Sequence, residues 1–499
     1  MVFKINFKII IKILGLLLVF NGGLMLTAVL VSFIMQDGVS SALILSSFSV
    51  ITLGGIMALS FRNSDTLIHK REGYLIVVLG WLLMSITGMF PYLFSGVIIN
   101  FSSAFFETLS GYTTTGATIL EDIETLPAGV LFWRSMTHWI GGMGIIVLAI
   151  AILPFLGIGG MQLFSAESPG PGSDKLHPRI TDTAKRLWLI YFIYTVSETI
   201  LLKFAGMSLF DAVNHSMSTL STGGFSTKND SIAYWNDQPV IQYIIMFFMF
   251  LAGSNFVLSY FAFKGKFARI FMDNEFKMYV SLIFFFTLIV SLILLIDLDL
   301  KSSTLFNSEV FGSIESSFRH GIFQVLSIVT TTGFITADFT AWTPFLTLFF
   351  FGLMFLGGSA GSTSGGVKVV RHLLMIKSGI LEFKRALHPN AIIQTRYNNR
   401  IVGEAIVYNI VGFFILYLLS FIIGALVFAL IGLDFESAIG VSAATLGNIG
   451  PALGDFGPLY NYSKLSDFGL WWASFLMLIG RLELFTVLIL FTPFFWRSR

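Results

Sequence analysis

Cysteine is absent from all 499 residues. That absence removes disulfide bridges, thiolate metal sites and a thiol nucleophile together. Charge is scarce as well: Asp, Glu, Lys and Arg make up 12% of the chain, against 55% hydrophobic and 15% aromatic residues. A soluble domain carries about 25% charged residues, so this is the composition of an integral membrane protein. Also missing are paired catalytic carboxylates, a His-rich metal site and a nucleophile with a base beside it. The chain therefore reads as something other than an enzyme, with no bound cofactor and no nucleic-acid partner expected.

What is present is length without charge. Runs free of Asp, Glu, Lys and Arg cover residues 13–36, 38–61, 73–106, 135–166, 238–263, 278–296, 339–367 and 405–433. Most exceed the ~20 residues that cross ~30 Å of hydrocarbon. Residues 187–207, interrupted by Glu198 and Lys203, and 468–496, interrupted by Arg481 and Glu483, bring the candidate spans to ten. The first run follows Lys4, Lys8 and Lys12 but leads to no small-residue cleavage site, so it reads as an uncleaved span. With the N-terminus cytoplasmic, alternation across ten spans puts 23 of the 30 lysines and arginines inside, which fixes the orientation and makes both termini cytoplasmic.

Four short stretches interrupt this apolar background: Thr113, Thr114, Thr115 and Gly116; Ser221, Thr222, Gly223 and Gly224; Thr330, Thr331, Thr332 and Gly333; and Gly447, Asn448, Ile449 and Gly450. The glycines that close them are 108, 109 and 117 residues apart, so one unit is used four times. Before each lies a segment too short to span, at 103–112, 208–220, 314–329 and 435–446, with Ser208 and Asp211 placed for a capping box and Asp434 placed as a cap. These read as re-entrant half-helices whose C-terminal ends converge on the membrane centre and favour a cation there. Irregular backbone at that depth survives where it lines a path or is buried in protein. In extended form each stretch offers stacked carbonyl oxygens that replace an ion's hydration shell. Asn448 stands where the other repeats have threonine, which makes the fourth stretch unequal to the rest.

The expected fold is an all-α polytopic membrane protein with four pseudo-symmetric helix–pore helix–helix repeats around a central ion pore, plus two accessory N-terminal transmembrane helices. Residues 1–72 hold the accessory pair and 73–165 the first repeat. Residues 166–270 hold a cytoplasmic linker and the second repeat, 271–390 the third repeat, and 391–499 the fourth.

These stretches, the segment Trp139-Ile140-Gly141-Gly142-Met143-Gly144, the run Ser168-Pro169-Gly170-Pro171 and the glycine-rich break in the third inner helix together resemble the TrkH family of bacterial potassium-uptake subunits, across essentially the whole chain. The related KtrB subunits share the four repeats, but the additional N-terminal pair makes the chain more similar to TrkH. The resemblance implies a channel-like potassium-translocating subunit of the bacterial cytoplasmic (inner) membrane. It also implies a homodimer that works with a cytosolic nucleotide-binding regulatory subunit of the TrkA type. Potassium is then the substrate, held at the sixteen filter residues and nowhere else. Relatives that admit sodium carry serine at a filter glycine, so the four glycines here favour potassium, and rubidium is expected to pass.

The third inner helix contains Gly357, Gly358, Ser359, Ala360, Gly361, Ser362, Thr363, Ser364, Gly365 and Gly366. Five glycines in ten residues cost a helix about 1 kcal/mol each, so this segment is expected to be an intramembrane loop, and the resemblance gives it the role of gate. Close glycine packing between helices is the competing reading. Arg481, near the middle of the last inner helix, needs water or a partner; it is expected to face the pore below the filter as a cationic barrier, with a static pair to Glu483 or Glu198 as the alternative. Arg134 and Lys203 read as snorkelling side chains, and His138, His215 and His320 as packed, hydrogen-bonded residues. The basic segments 170–186 and 377–400 suit a docking face for a regulatory subunit as well as simple topology. A proton- or sodium-coupled potassium symporter is the competing class.

Overall fold

The structure is a computed structural model that describes residues 5–64, 68–144, 180–296, 314–391 and 393–497. The Ser168–Pro171 run and most of the first basic segment lie outside the described residues. Six helices are long and apolar enough to cross a bilayer: Phe7–Met35, Ser40–Ser60, Lys70–Ser95, Ala184–Phe204, Asn274–Ile296 and Glu404–Leu430. They carry many exposed large apolar side chains, among them Leu30, Phe33, Phe284 and Leu426, as lipid contact requires.

The inner helices differ from expectation. A break was foreseen only in the third, yet the second bends by 105° between Pro239–Ala252 and Phe256–Phe263, and the fourth by 110° between Asp467–Arg481 and Phe485–Phe491. The third stops after Pro344–Leu353, and the first forms Ala128–Gly142. In the second, Asn255 caps the continuing helix by accepting from the Val257 N–H at 2.8 Å. In the fourth, Glu483 and Leu484 adopt φ of 56° and 52°, a left-handed pair that no glycine or proline announces.

The four half-helices form as foreseen, at Phe101–Tyr112, Leu209–Leu220, Ile314–Val329 and Phe435–Gly447. Asn100 caps the first through the Ser103 N–H. Asp434 caps the fourth, accepting from the Glu436 and Ser437 N–H groups; hydrogen bonds from Ser437, side chain and then backbone, hold its carboxyl below the usual carboxylate range. Ser208 accepts from the Asp211 N–H at 3.0 Å, but the Asp211 carboxylate takes the Ser208 hydroxyl at 2.7 Å. The reciprocal bond of a capping box would run instead to the cap's backbone N–H.

The accessory pair braces the first unit. Its two helices cross closely enough that a methyl group at Gly15 would lie 2.6 Å from the Gly54 carbonyl oxygen, the small-residue packing that membrane helices use. From this pair Asn21 accepts the Tyr112 hydroxyl at 2.8 Å, and Asp37 accepts the Gly129 N–H at 2.6 Å. Tyr112 is the last residue of the first half-helix, so the brace reaches the edge of the first threonine-glycine stretch.

Candidate ion-coordinating centre

Each half-helix ends in the same turn. The N–H groups of Thr115, Gly223, Thr332 and Ile449 bond back to the carbonyls of Ser110, Ser218, Ser327 and Ala444 at 2.8–2.9 Å, and those of Thr114, Thr222, Thr331 and Asn448 bond to Gly111, Thr219, Ile328 and Thr445. This is the double closure of a Schellman cap, whose left-handed residue is usually glycine. Here Thr114, Thr222, Thr331 and Asn448 hold that position, at φ of 52°, 54°, 58° and 54°. The stretches are therefore not uniformly extended as the sequence suggested. A β-branched residue at positive φ is strained, and asparagine is the one of the four that tolerates it best.

The closing glycines meet in a ring. A methyl group at Gly116 would collide with the Gly223 carbonyl, and one at Gly224 with the Thr332 carbonyl. At Gly333 it would lie 3.0 Å from the Gly450 nitrogen, and at Gly450 it would lie 2.9 Å from the Gly116 oxygen. Repeat follows repeat in chain order, and the last closes on the first. Gly116, Gly224 and Gly333 have φ of 80°, 85° and 78°. Gly450 does not share that conformation, because Pro451 follows it and biases the preceding residue toward extended backbone. What Gly450 needs from glycine is the missing side chain.

The carbonyls of Thr114, Thr115, Thr222, Gly223, Thr331, Thr332, Asn448 and Ile449 accept no hydrogen bond among the described residues, although these residues are buried. Buried carbonyls are otherwise nearly always paired. Eight oxygens without donors, at the C-terminal ends of four converging helices, form a site of partial negative charge with no fixed anion in it.

A second layer holds the chain that leaves each stretch. Nine residues before the ring glycines stand Glu107, His215, Gln324 and Val441. Glu107 accepts from Thr118 Oγ1 at 2.9 Å and from the Ile119 N–H at 3.0 Å. His215 Nε2 lies 2.9 Å from Ser226 Oγ, and Gln324 reaches the Ala337 carbonyl at 3.3 Å. Three of the four equivalent positions thus do equivalent work with different chemistry, and Val441, being apolar, does not. Arg134 completes the first: its Nε pairs with Glu107 at 2.8 Å, it donates to the Ser226 carbonyl at 2.9 Å, and it lies over the Phe225 ring. It is 2% exposed, so the snorkelling reading is wrong. Burial beside a carboxylate outcompetes the interface because one guanidinium satisfies groups from two repeats. His138 stacks on Phe225 at 3.9 Å and His320 meets Thr336 at 2.9 Å, packed as expected. Among the described residues no group of metal-ligating side chains forms.

Below the ring, residues Gly357 to Gly366 run without helix. They are fastened at three points in two repeats: the Ser359 N–H donates to the Gly253 carbonyl at 2.8 Å and Thr363 Oγ1 to the Leu220 carbonyl at 2.9 Å, both in the second, and the Gly365 N–H donates to Thr331 Oγ1 at 2.7 Å in the third. The loop therefore touches the third stretch directly, and a methyl group at Gly365 would lie 2.9 Å from the Gly447 carbonyl. Arg481 donates to the Thr363 carbonyl at 2.7 Å and to the Gly141 carbonyl at 2.7 Å. A static pair with Glu483 is not what holds it, since Glu483 pairs with Arg371. Sequence reasoning passed over Lys368, whose ammonium donates to the Ser364 carbonyl. Two cations thus hang from adjacent carbonyls of the loop, and the signal was a lysine closing the glycine run.

Six long apolar helices whose exposed faces are rich in large apolar side chains, with broken helices meeting at a carbonyl-lined centre, define an all-α polytopic membrane protein. The chain belongs to the TrkH family of cation transport proteins, whose family model matches residues 39–498. It is 42% identical to the Trk system potassium uptake protein TrkH of Escherichia coli K12 over 99% of this chain and 100% of that one. It is 34% identical to the Trk system potassium uptake protein TrkG of the same organism, covering 89% of this chain and 90% of that one. Its fold superimposes on the crystal structure of the potassium transporter TrkH from Vibrio parahaemolyticus with a TM-score of 0.87 at 37% identity, over 99% of this chain and 100% of that one.

Proposed function

We propose that this chain is a potassium-selective, channel-like uptake subunit of the bacterial cytoplasmic membrane. Potassium is coordinated by the carbonyls of the four threonine-glycine stretches, and the glycine-rich loop with Arg481 gates the path beneath them. A cytosolic nucleotide-binding subunit regulates that gate, and the chain works as a homodimer with both termini in the cytoplasm. The observation that carries the reading is the closed ring of donor-free carbonyls. Oxygens of that kind replace the hydration shell of a weakly hydrated cation at lower cost than that of sodium, which holds its water more tightly. The relatives named as potassium uptake proteins support the choice of ion.

Cation flux into liposomes carrying the purified chain tests it, with potassium, rubidium and sodium compared for the native protein and for Gly333→Ser. Native selectivity for potassium and rubidium is expected to relax in the variant, because the added side chain lies against Gly450 and Pro451 at a left-handed backbone position. A native chain that passes no cation without a proton or sodium gradient would put a coupled symporter in its place.

A further inference from the structure

Besides neutral backbone and hydroxyl groups and the two cations that donate to its carbonyls, the loop beneath the ring is fastened by one carboxyl that accepts from its N–H groups. Glu275, 2% exposed near the start of helix Asn274–Ile296, accepts hydrogen bonds from the Ala360 N–H at 2.6 Å and the Val370 N–H at 3.1 Å through the same oxygen, Oε1. Those donors are ten residues apart and bracket Thr363, Ser364 and Gly365. These are the residues that meet Arg481, Lys368 and Thr331. A single carboxyl oxygen therefore pins both ends of the segment under the ring.

Glu275 is itself tied to the polar edge of the molecule. The hairpin Arg396–Tyr397 and Arg400–Ile401 turns through Asn398 and Asn399 at φ of 46° and 61°, the two left-handed residues that a tight two-residue hairpin turn demands. Asn398 at its tip donates to Asp273 Oδ2 at 2.7 Å and accepts from the Asn274 N–H at 2.9 Å. Asp273 in turn caps the helix by accepting from the Phe276 N–H at 2.8 Å. The hairpin tip is hydrogen-bonded to the helix start, Glu275 is the next residue along the backbone from Asn274, and its side chain is hydrogen-bonded to the loop.

We propose that Glu275 is a positioning residue that latches the loop in the arrangement seen here, and that the hairpin tip at Asn398 is the handle by which the cytoplasmic side reaches the latch. The proposal rests on the gate reading of the loop, and two separate readouts keep the two apart. Because the chain has no cysteine, Ser362→Cys provides a single thiol within the loop. Its modification rate by a charged thiol reagent reports release of the loop, and rubidium flux through the same full-length protein in liposomes reports opening.

In a Glu275→Ala background, which loses both hydrogen bonds, the thiol is expected to react about tenfold faster, the ratio that ~1.4 kcal/mol gives. Rubidium flux rises with it, and the potassium-to-sodium ratio stays at the native value. Glu275→Gln retains an acceptor oxygen and falls between native and alanine, and it also serves if the alanine variant does not fold. An unchanged modification rate in both variants overturns the latch, whatever the flux does. Faster modification with unchanged flux leaves the latch standing and removes the gate reading. Asn398→Asp sets a carboxylate against Asp273 and is expected to speed modification without touching Glu275; no change there removes the hairpin from the proposal.

Discussion

Residues at the centre of this protein carry more than their types announce. Glu107 and Arg134 form a buried ion pair within the first repeat, from which Arg134 also reaches the Ser226 carbonyl of the second, and removing one partner strands the other. Arg134→Met is expected to cost about 3–5 kcal/mol, the usual result of leaving one charge of a buried pair unmatched, read as a loss of stability in detergent; adding Glu107→Gln should recover most of it. A loss under ~1 kcal/mol in the single variant would mean that the pair is not a clamp. Arg481 is expected to set the resistance of the path, so Arg481→Gln should raise potassium flux and flatten its voltage dependence, checked by flux at imposed membrane potentials. These roles were only partly legible in the sequence. An arginine amid apolar residues was visible at 481, and its carbonyl partners Thr363 and Gly141 lie on other helices. Arg134 misled because its partner sits 27 residues away on a different element, where no helical spacing connects them. Gly450 looked like its three counterparts, although Pro451 beside it already implied a different backbone.

Elements were the best-read scale. The half-helices emerged within two residues of their expected starts and ends, because Asn100, Ser208 and Asp434 cap three of them and a glycine-closed stretch ends all four. The Schellman turns did not emerge, since the rule that reads them looks for glycine at the left-handed position and these repeats place threonine or asparagine there. The break at Glu483 and Leu484 was equally silent; the local composition is helical, and the bend is imposed by what the helix packs against, including the pair between Glu483 and Arg371. The loop was legible because five glycines cannot be hidden in a helix. Deleting Ser359 to Ser364 removes the contacts to Gly253, Leu220 and Arg481, and flux in the absence of any partner protein is expected to rise severalfold while selectivity is retained. Unchanged flux in that deletion would show that the loop does not occlude the path.

For the whole molecule, orientation follows from the basic segments rather than from any one contact. Thiol labelling in the naturally cysteine-free chain checks it: Ser463→Cys is expected to react from outside intact cells, and His388→Cys only after permeabilisation. The opposite pattern would invert the molecule and turn the proposed docking segment at 377–400 away from the cytoplasm. The fourfold plan was readable from four stretches at three similar spacings, whereas the bracing of the first unit by the accessory helices was not, because it depends on Asn21 and Asp37 finding partners in Tyr112 and Gly129.

The ring closes between the first stretch and the last, where Asn448 Nδ2 donates to Thr115 Oγ1 at 3.1 Å across 333 residues of chain. At about 5–20 residues per second of synthesis, the first quarter waits on the order of 20–70 seconds for the last to emerge. Until it does, the oxygens on three sides have no fourth wall. A nascent or prematurely terminated chain therefore lacks the side of the ring on which the proposed coordination depends, and the site is expected to assemble only after the last repeat has been made.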